Sequence, residues 1–320
     1  MTLIGHDDAW SEWRSALNSP RMHHGWMLAG KRGIGKACFA IKAAREMVAQ
    51  GAGEQPSGDH PDILTLSHLP ANKDEEKKKE QGKPFKLKRN ITVDQIRGMQ
   101  KRLTTRPTLG SRRAIIIDPA DDLEKGASNA LLKSLEEPPV GTFFLLVTHR
   151  PGRLLPTIRS RCRILRFPDL SDAQIEQILQ QEMPEADGNA RAAAIAASAG
   201  SPGVALEFME MGLGSIHQLM MDIVRSGDPG FTLRGRLADA MGARPDRPKQ
   251  LAAIELARNV VAREMKVINT PAIPSLTKAH EELVRLAAQF PTYNFDPGLL
   301  VMEIGTLLTN LAASREAANG

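Results

Sequence analysis

Gly30-Lys31-Arg32-Gly33-Ile34-Gly35-Lys36 has the G-x-x-x-x-G-K spacing of a phosphate-binding loop. The chemistry of such a loop is electrostatic. Glycines let consecutive backbone N–H groups wrap phosphate oxygens at a helix N-terminus, and the lysine neutralises their charge. The candidate nucleotide contacts are therefore Gly30, Gly33, Gly35 and Lys36. The next position should offer a hydroxyl to Mg²⁺, but it is Ala37. Ile115-Ile116-Ile117-Asp118 is an apolar run ending in an acid placed to reach such a metal. Pro119 follows, where hydrolysis needs a carboxylate base. General-base help is worth about 10²–10⁴ in rate, and proline supplies none of it. Asp121 and Asp122 are the substitutes on offer, both further along the turn. Two readings of the loop stand: weak retention of nucleotide without turnover, or an inherited joint between strand and helix. Arg159, Arg161 and Arg163 form a second charged feature, and by themselves they read as a solvated basic edge beside a strand.

These residues need a scaffold, and the first half of the chain encodes one. Trp26 to Ala29 reads as a buried strand entering the glycine loop, and Ala37 to Ala49 as the helix leaving it. Further strands are expected at Ile63 to Leu66, Ala114 to Ile117, Phe143 to Val147 and Ile164 to Phe167. Apolar runs alternating with helical stretches predict an α/β fold with a parallel sheet and helices on its faces. Residues 72–90 interrupt this pattern with a lysine-rich tract that has little apolar surface to bury. It reads as a mobile loop or exposed hairpin, a solvated insertion in preference to a DNA contact.

After Pro168 the strand pattern stops. Ser171-Asp172-Ala173-Gln174 is a capping-box start, and an Ala-rich helix through Arg191 to Ser198 follows. Gly200-Ser201-Pro202-Gly203 turns into a third helix. Leu251, Ile254, Val261 and Met265 mark one face of a longer helix, and Leu299 to Leu311 predicts an apolar terminal one. Joints at 226–230, 241–248 and 291–298 separate the pieces. Three parts are expected: an α/β domain over 1–168, a small helical domain over 169–212 and an all-helical domain over 213–320.

The composition is that of a globular protein, with 42% hydrophobic and 25% charged residues. Nothing in it spans a bilayer or reads as a signal peptide, so the expected setting is cytoplasmic, without a membrane partner. Cys38 and Cys162 are the only cysteines, too few for a four-thiolate zinc site. A net charge of +5 permits contact with nucleic acid without requiring it.

Several stretches together resemble bacterial clamp-loader subunits of the AAA+ class. They are His24-Gly25-Trp26-Met27-Leu28, His60-Pro61-Asp62, Ile91 to Arg97, Asp118 to Leu123, Asn129 to Pro139 and Leu154 to Cys162. The likeness covers roughly residues 20–168. It implies a AAA+ P-loop domain, a helical lid and an all-α collar that assembles into a hetero-oligomer. It also implies that Arg161, in Ser160-Arg161-Cys162, reaches the nucleotide of a neighbouring subunit, with Ser160 and Cys162 supporting the motif. A guanidinium suits that task because its charge is permanent and its donors are forked. Asp118 falls at the metal-binding acid and Thr148 at a polar sensor position. Gly200 to Leu206 lacks the arginine that motor subunits carry there. Residues 50–59 lack the four cysteines of many relatives, so zinc is not implied. The implied partners are gamma/tau-type ATPase subunits and a delta subunit, with a sliding clamp and primed DNA reached through the complex. The implied role is that of a non-hydrolysing member of DNA polymerase III, with no required cofactor. An ATP-hydrolysing motor and a purely structural scaffold are the alternatives.

Overall fold

A computed structural model describes residues 3–267, 273–290, 293 and 295–319. The chain divides into two compact units, Met1–Asp169 and Leu170–Gly320.

The first unit is built on five parallel strands: β1 (Gly25–Ala29), β2 (Ile63–Leu66), β3 (Arg113–Ile117), β4 (Thr142–Thr148) and β5 (Arg163–Arg166). Their order across the sheet is β2-β3-β4-β1-β5. Residues of β1, β3 and β4 are buried almost throughout, which is why these segments read as continuous apolar runs. Helices cover both faces. On one, α4 (Val93–Arg102), α5 (Lys125–Glu136) and the single turn α6 (Pro156–Arg159) bury Ile96, Leu131 and Ile158 against Met27, Ile115 and Phe144. On the other, α1 (Asp7–Leu17) and α2 (Lys36–Ala49) contribute Trp13 and Phe39, with the Trp13 ring edge-on to Trp26 at 5.4 Å. Each such side chain contributes roughly 1.5–3 kcal/mol on full burial.

The insertion, expected as a mobile loop or exposed hairpin, pairs its two arms antiparallel at the base but carries a helix between them, α3 (Lys73–Glu80). The Asn72 side chain caps it, accepting from the amides of Asp74 and Glu75 at 3.0 Å each. Lys and Glu are good helix formers, so capped propensity succeeds where apolar patterning is absent. Glu75 is buried and clamps the return of the chain, accepting from Lys78 Nζ at 2.7 Å and from the Lys86 amide at 2.6 Å. An antiparallel bridge pairs Pro70 with Leu87.

The second unit is helical: α7 (Asp172–Glu182), α8 (Gly188–Ser198), α9 (Pro202–Glu210), α10 (Gly214–Ser226), α11 (Thr232–Met241), α12 (Arg247–Val267), α13 (Ile273–Gln289) and α14 (Pro297–Asn319). The capping box at Ser171 is present, its backbone N–H donating to Gln174 Oε1 at 2.9 Å. Ile254 and Val261 of α12 are fully buried. Asn259 of α12 donates to the Ala197 carbonyl of α8 at 3.0 Å. The buried pair Arg234–Asp228 closes at 3.0 Å, and Gly305 leaves room for the Arg234 stem, since a Cβ there would lie 2.4 Å from Arg234 Cγ. The joint expected at 291–298 lies partly outside the described residues. Among the described residues no helix is long and apolar enough to cross a membrane.

Candidate functional site

Parallel strands put their C-terminal ends at one edge of the sheet, where loops meet ligands in such folds. β1 delivers the glycine loop to that edge, β3 delivers Asp118 and β4 delivers Thr148. The loop is drawn onto the sheet by its glycines. A Cβ at Gly30 would lie 2.6 Å from the Phe167 carbonyl oxygen, and Gly33 and Gly35 take φ values of 75° and 103°. Gly35 then caps α2, whose first residue is Lys36.

Lys36 turns back into its own loop. Its Nζ donates to the carbonyls of Gly30 at 2.7 Å and Lys31 at 2.5 Å, and the residue is only 3% exposed. Burial pushes its ammonium down to about 8, against the opposing pull of Asp118 and Asp121. Burial raises Asp118 above the usual carboxylate range, with Lys36 opposing the shift. Ala37 adds no oxygen to this cluster.

Asp121 does not stand free as a replacement base. Its carboxylate accepts from Thr148 Oγ1 at 2.5 Å, from the His149 amide at 2.5 Å and from the Arg150 amide at 3.2 Å. Thr148 is fully buried and spends its hydroxyl proton on this bond. Asp122 faces His68 at 3.2 Å. His149 is driven down to about 4 by burial and by the Lys36 charge, so it is neutral near pH 7.

The residue pattern gives no sign of one further participant. His6, on the segment before α1, places Nε2 2.8 Å from the Ile34 carbonyl oxygen and its ring edge-on to Phe167 at 4.9 Å. Burial lowers its pKa. A Cβ on Gly35 would meet Leu3 at 2.8 Å, so the N-terminal segment lies directly across the loop. A single histidine 28 residues from its partner forms no motif.

The structure therefore brings Gly30, Gly33, Gly35, Lys36, Asp118 and Thr148 together. Arg161 lies elsewhere. It precedes β5 and sits at the opposite edge of the sheet, where a Cβ on Gly25, the first residue of β1, would meet the Arg161 carbonyl at 2.8 Å. The Arg161 guanidinium donates to the Thr157 carbonyl at 2.8 Å and pairs with Glu136 of α5 at 2.7 Å. Its side chain remains 34% exposed. Ser160 Oγ donates to Thr157 O at 3.1 Å and accepts from Arg161 at 3.4 Å. Burial pushes the Cys162 thiol up to about 12, which makes it a packing group rather than a nucleophile. The flanking Arg159 and Arg163 are both exposed. Arg163 is held by Glu12 at 2.9 Å and lies over the Trp26 ring at 5.2 Å.

Asp62, in the His60-Pro61-Asp62 stretch, has a structural task. It is fully buried and accepts from the amides of Thr108 at 2.6 Å and Leu109 at 2.8 Å. Arg113, also buried, lies 3.8 Å away and binds the carbonyls of Arg102, Thr105 and Arg106.

Known proteins resemble this chain in sequence and in fold. Residues 5–171 match the family model described as DNA polymerase III, delta subunit. The DNA polymerase III subunit delta' of Pseudomonas aeruginosa is 33% identical over 201 residues, 59% of this chain and 56% of that protein. The Escherichia coli subunit delta' is 31% identical over 208 residues, 61% and 57% of the two chains. The chain thus spans little over half the length of these curated relatives. Among solved structures, a DNA polymerase III gamma subunit-related protein from Thermotoga maritima superposes with a TM-score of 0.50 at 19% identity. The match covers 96% of this chain and all of that one. At that identity the likeness is one of fold alone. With more than half of its length matched by the family model and delta' proteins among its relatives, the chain belongs to the DNA polymerase III delta' subunit family.

Proposed function

We propose that this chain is a clamp-loader subunit that does not hydrolyse ATP itself and presents Arg161 to the nucleotide of a neighbouring ATPase subunit. The observation that carries this reading is the position of Arg161 relative to its own glycine loop. The two lie at opposite ends of β1, separated by roughly 13 Å of strand at 3.3 Å per residue. Arg161 serves a nucleotide on another chain or none.

The state of the glycine loop supports the same reading. Lys36 is satisfied by loop carbonyls, residue 37 carries no hydroxyl, Pro119 is no base and Asp121 is consumed by Thr148 and two amides. Nucleotide binding there is weak or absent, and neither zinc nor another cofactor is required. The partners are gamma/tau-type ATPase subunits and a delta subunit. The helices after Leu213 supply the shared collar, and the assembly places a sliding clamp on primed DNA in the cytoplasm.

The non-hydrolysing half of this proposal is tested on the purified chain by ATP turnover with and without Mg²⁺. Turnover at the level of Lys36→Ala is the expected result. Saturable turnover abolished by Lys36→Ala would make the chain a motor subunit and end this half of the reading.

A further inference from the structure

Neither the nucleotide-loop cluster nor Arg161 uses the insertion between β2 and α4. Residues 72–90 hold eight Lys or Arg and four Asp or Glu, a net charge of +4 in a chain whose total is +5. Helix energetics accounts for part of this order. Acids in the first turn of α3 and lysines in its last turn both complement the helix dipole. That explanation stops at Gln81. Lys83-Pro84-Phe85-Lys86-Leu87-Lys88-Arg89 lies outside the helix, contains no acid and is exposed at every residue.

This segment is held in shape. The Lys83 amide donates to the Lys78 carbonyl at 2.9 Å, and Glu75 grips the Lys86 amide from α3. The Ala71 amide donates to Lys86 O at 2.9 Å, and the Lys88 amide to Leu69 O at 2.7 Å. Two apolar side chains stand out among the lysines: Phe85 at 37% exposure and Leu87 at 51%.

From these observations we infer that the Lys83–Arg89 ribbon, with the lysine-rich end of α3 beside it, is a binding surface for single-stranded nucleic acid. The ammonium groups meet successive phosphates, and Phe85 stacks on an unpaired base. A duplex offers the same phosphates but hides its base faces, so the exposed ring favours a single strand. This surface does not depend on the Arg161 reading.

The test titrates the full chain against a fluorescein-labelled DNA strand of about 16 nucleotides, the upper site size of a single strand-binding fold. The matching duplex is titrated in parallel, and both over a series of salt concentrations. One variant combines Lys77→Gln, Lys79→Gln, Lys83→Gln and Lys88→Gln, leaving Lys78 and Glu75 to hold the fold. Circular dichroism confirms that its helix content is unchanged. The expected result is a fall in the log–log salt slope of about 0.7 for each phosphate that a substituted lysine no longer neutralises. Phe85→Ala should weaken strand binding about tenfold and leave duplex binding unchanged. An unchanged slope in the quadruple variant would overturn the inference. So would equal affinity for strand and duplex with Phe85→Ala silent. Intact DNA binding together with failure to bind partner subunits would instead make the ribbon a protein-docking surface, and would also overturn it.

Discussion

Lys36 lies buried inside its own glycine loop. Its ammonium donates to the carbonyls of Gly30 and Lys31, and burial pushes its pKa down to about 8. The consequence for stability has a definite sign. Between about 8 and the ordinary lysine value near 10.4, the unfolded chain holds a proton that the folded chain has released. Stability from this group therefore rises with pH across that window and is flat below it. Relative to Lys36→Met, the natural chain should gain about 1.4 kcal/mol per pH unit there. Urea denaturation of both proteins from pH 7 to 10 measures this, and parallel curves would refute the buried placement. Arg161 presents the opposite case. Its pair with Glu136 is partly exposed on both sides, and such pairs are worth about 0–1 kcal/mol. Breaking the pair costs little, so it orders the side chain without trapping it.

At the scale of elements, the loop from Thr104 to Gly110, mostly exposed, is held by Asp62 and Arg113. Asp62→Ala would leave Arg113 buried without its carboxylate and two amides without acceptors. The expected loss is about 3–5 kcal/mol in urea unfolding, with Asp62→Asn losing less because one acceptor remains. A change below about 1 kcal/mol would contradict the assignment. The elements also show what the sequence makes legible. β1, β3 and β4 are buried on both faces, so their apolar runs announce them. The capping box at Ser171 is equally plain, because both halves of the signal stand three residues apart. α3 is hidden, since Asn72 and good helix formers are outweighed by the absence of an apolar stripe. The roles of Asp62 and His6 are hidden for another reason. Their partners stand 46 and 28 residues away, and only the folded sheet brings them together. In the candidate site, the missing hydroxyl at Ala37 and the proline at 119 can be read directly. That Thr148 and two amides use up Asp121 emerges only in the fold.

At the scale of the whole molecule, the parallel sheet separates two groups of candidate site residues. The glycine loop, Asp118 and Thr148 occupy its C-terminal edge, and Arg161 occupies the other. Lys36 is bound within its own loop, and Arg161 lies partly exposed at the far edge. The most direct measurement is clamp- and DNA-stimulated ATP turnover by the loader reconstituted with its gamma/tau-type partners, comparing the natural chain with Arg161→Ala. Arginine fingers supplied in trans are worth about 10³–10⁵ in GTPases, which sets the upper scale. The proposal predicts a fall on the order of tenfold or more, with assembly unchanged by gel filtration. Turnover equal to that of the natural complex, in an equally assembled loader, would contradict the in-trans role of Arg161 and leave the chain a scaffold.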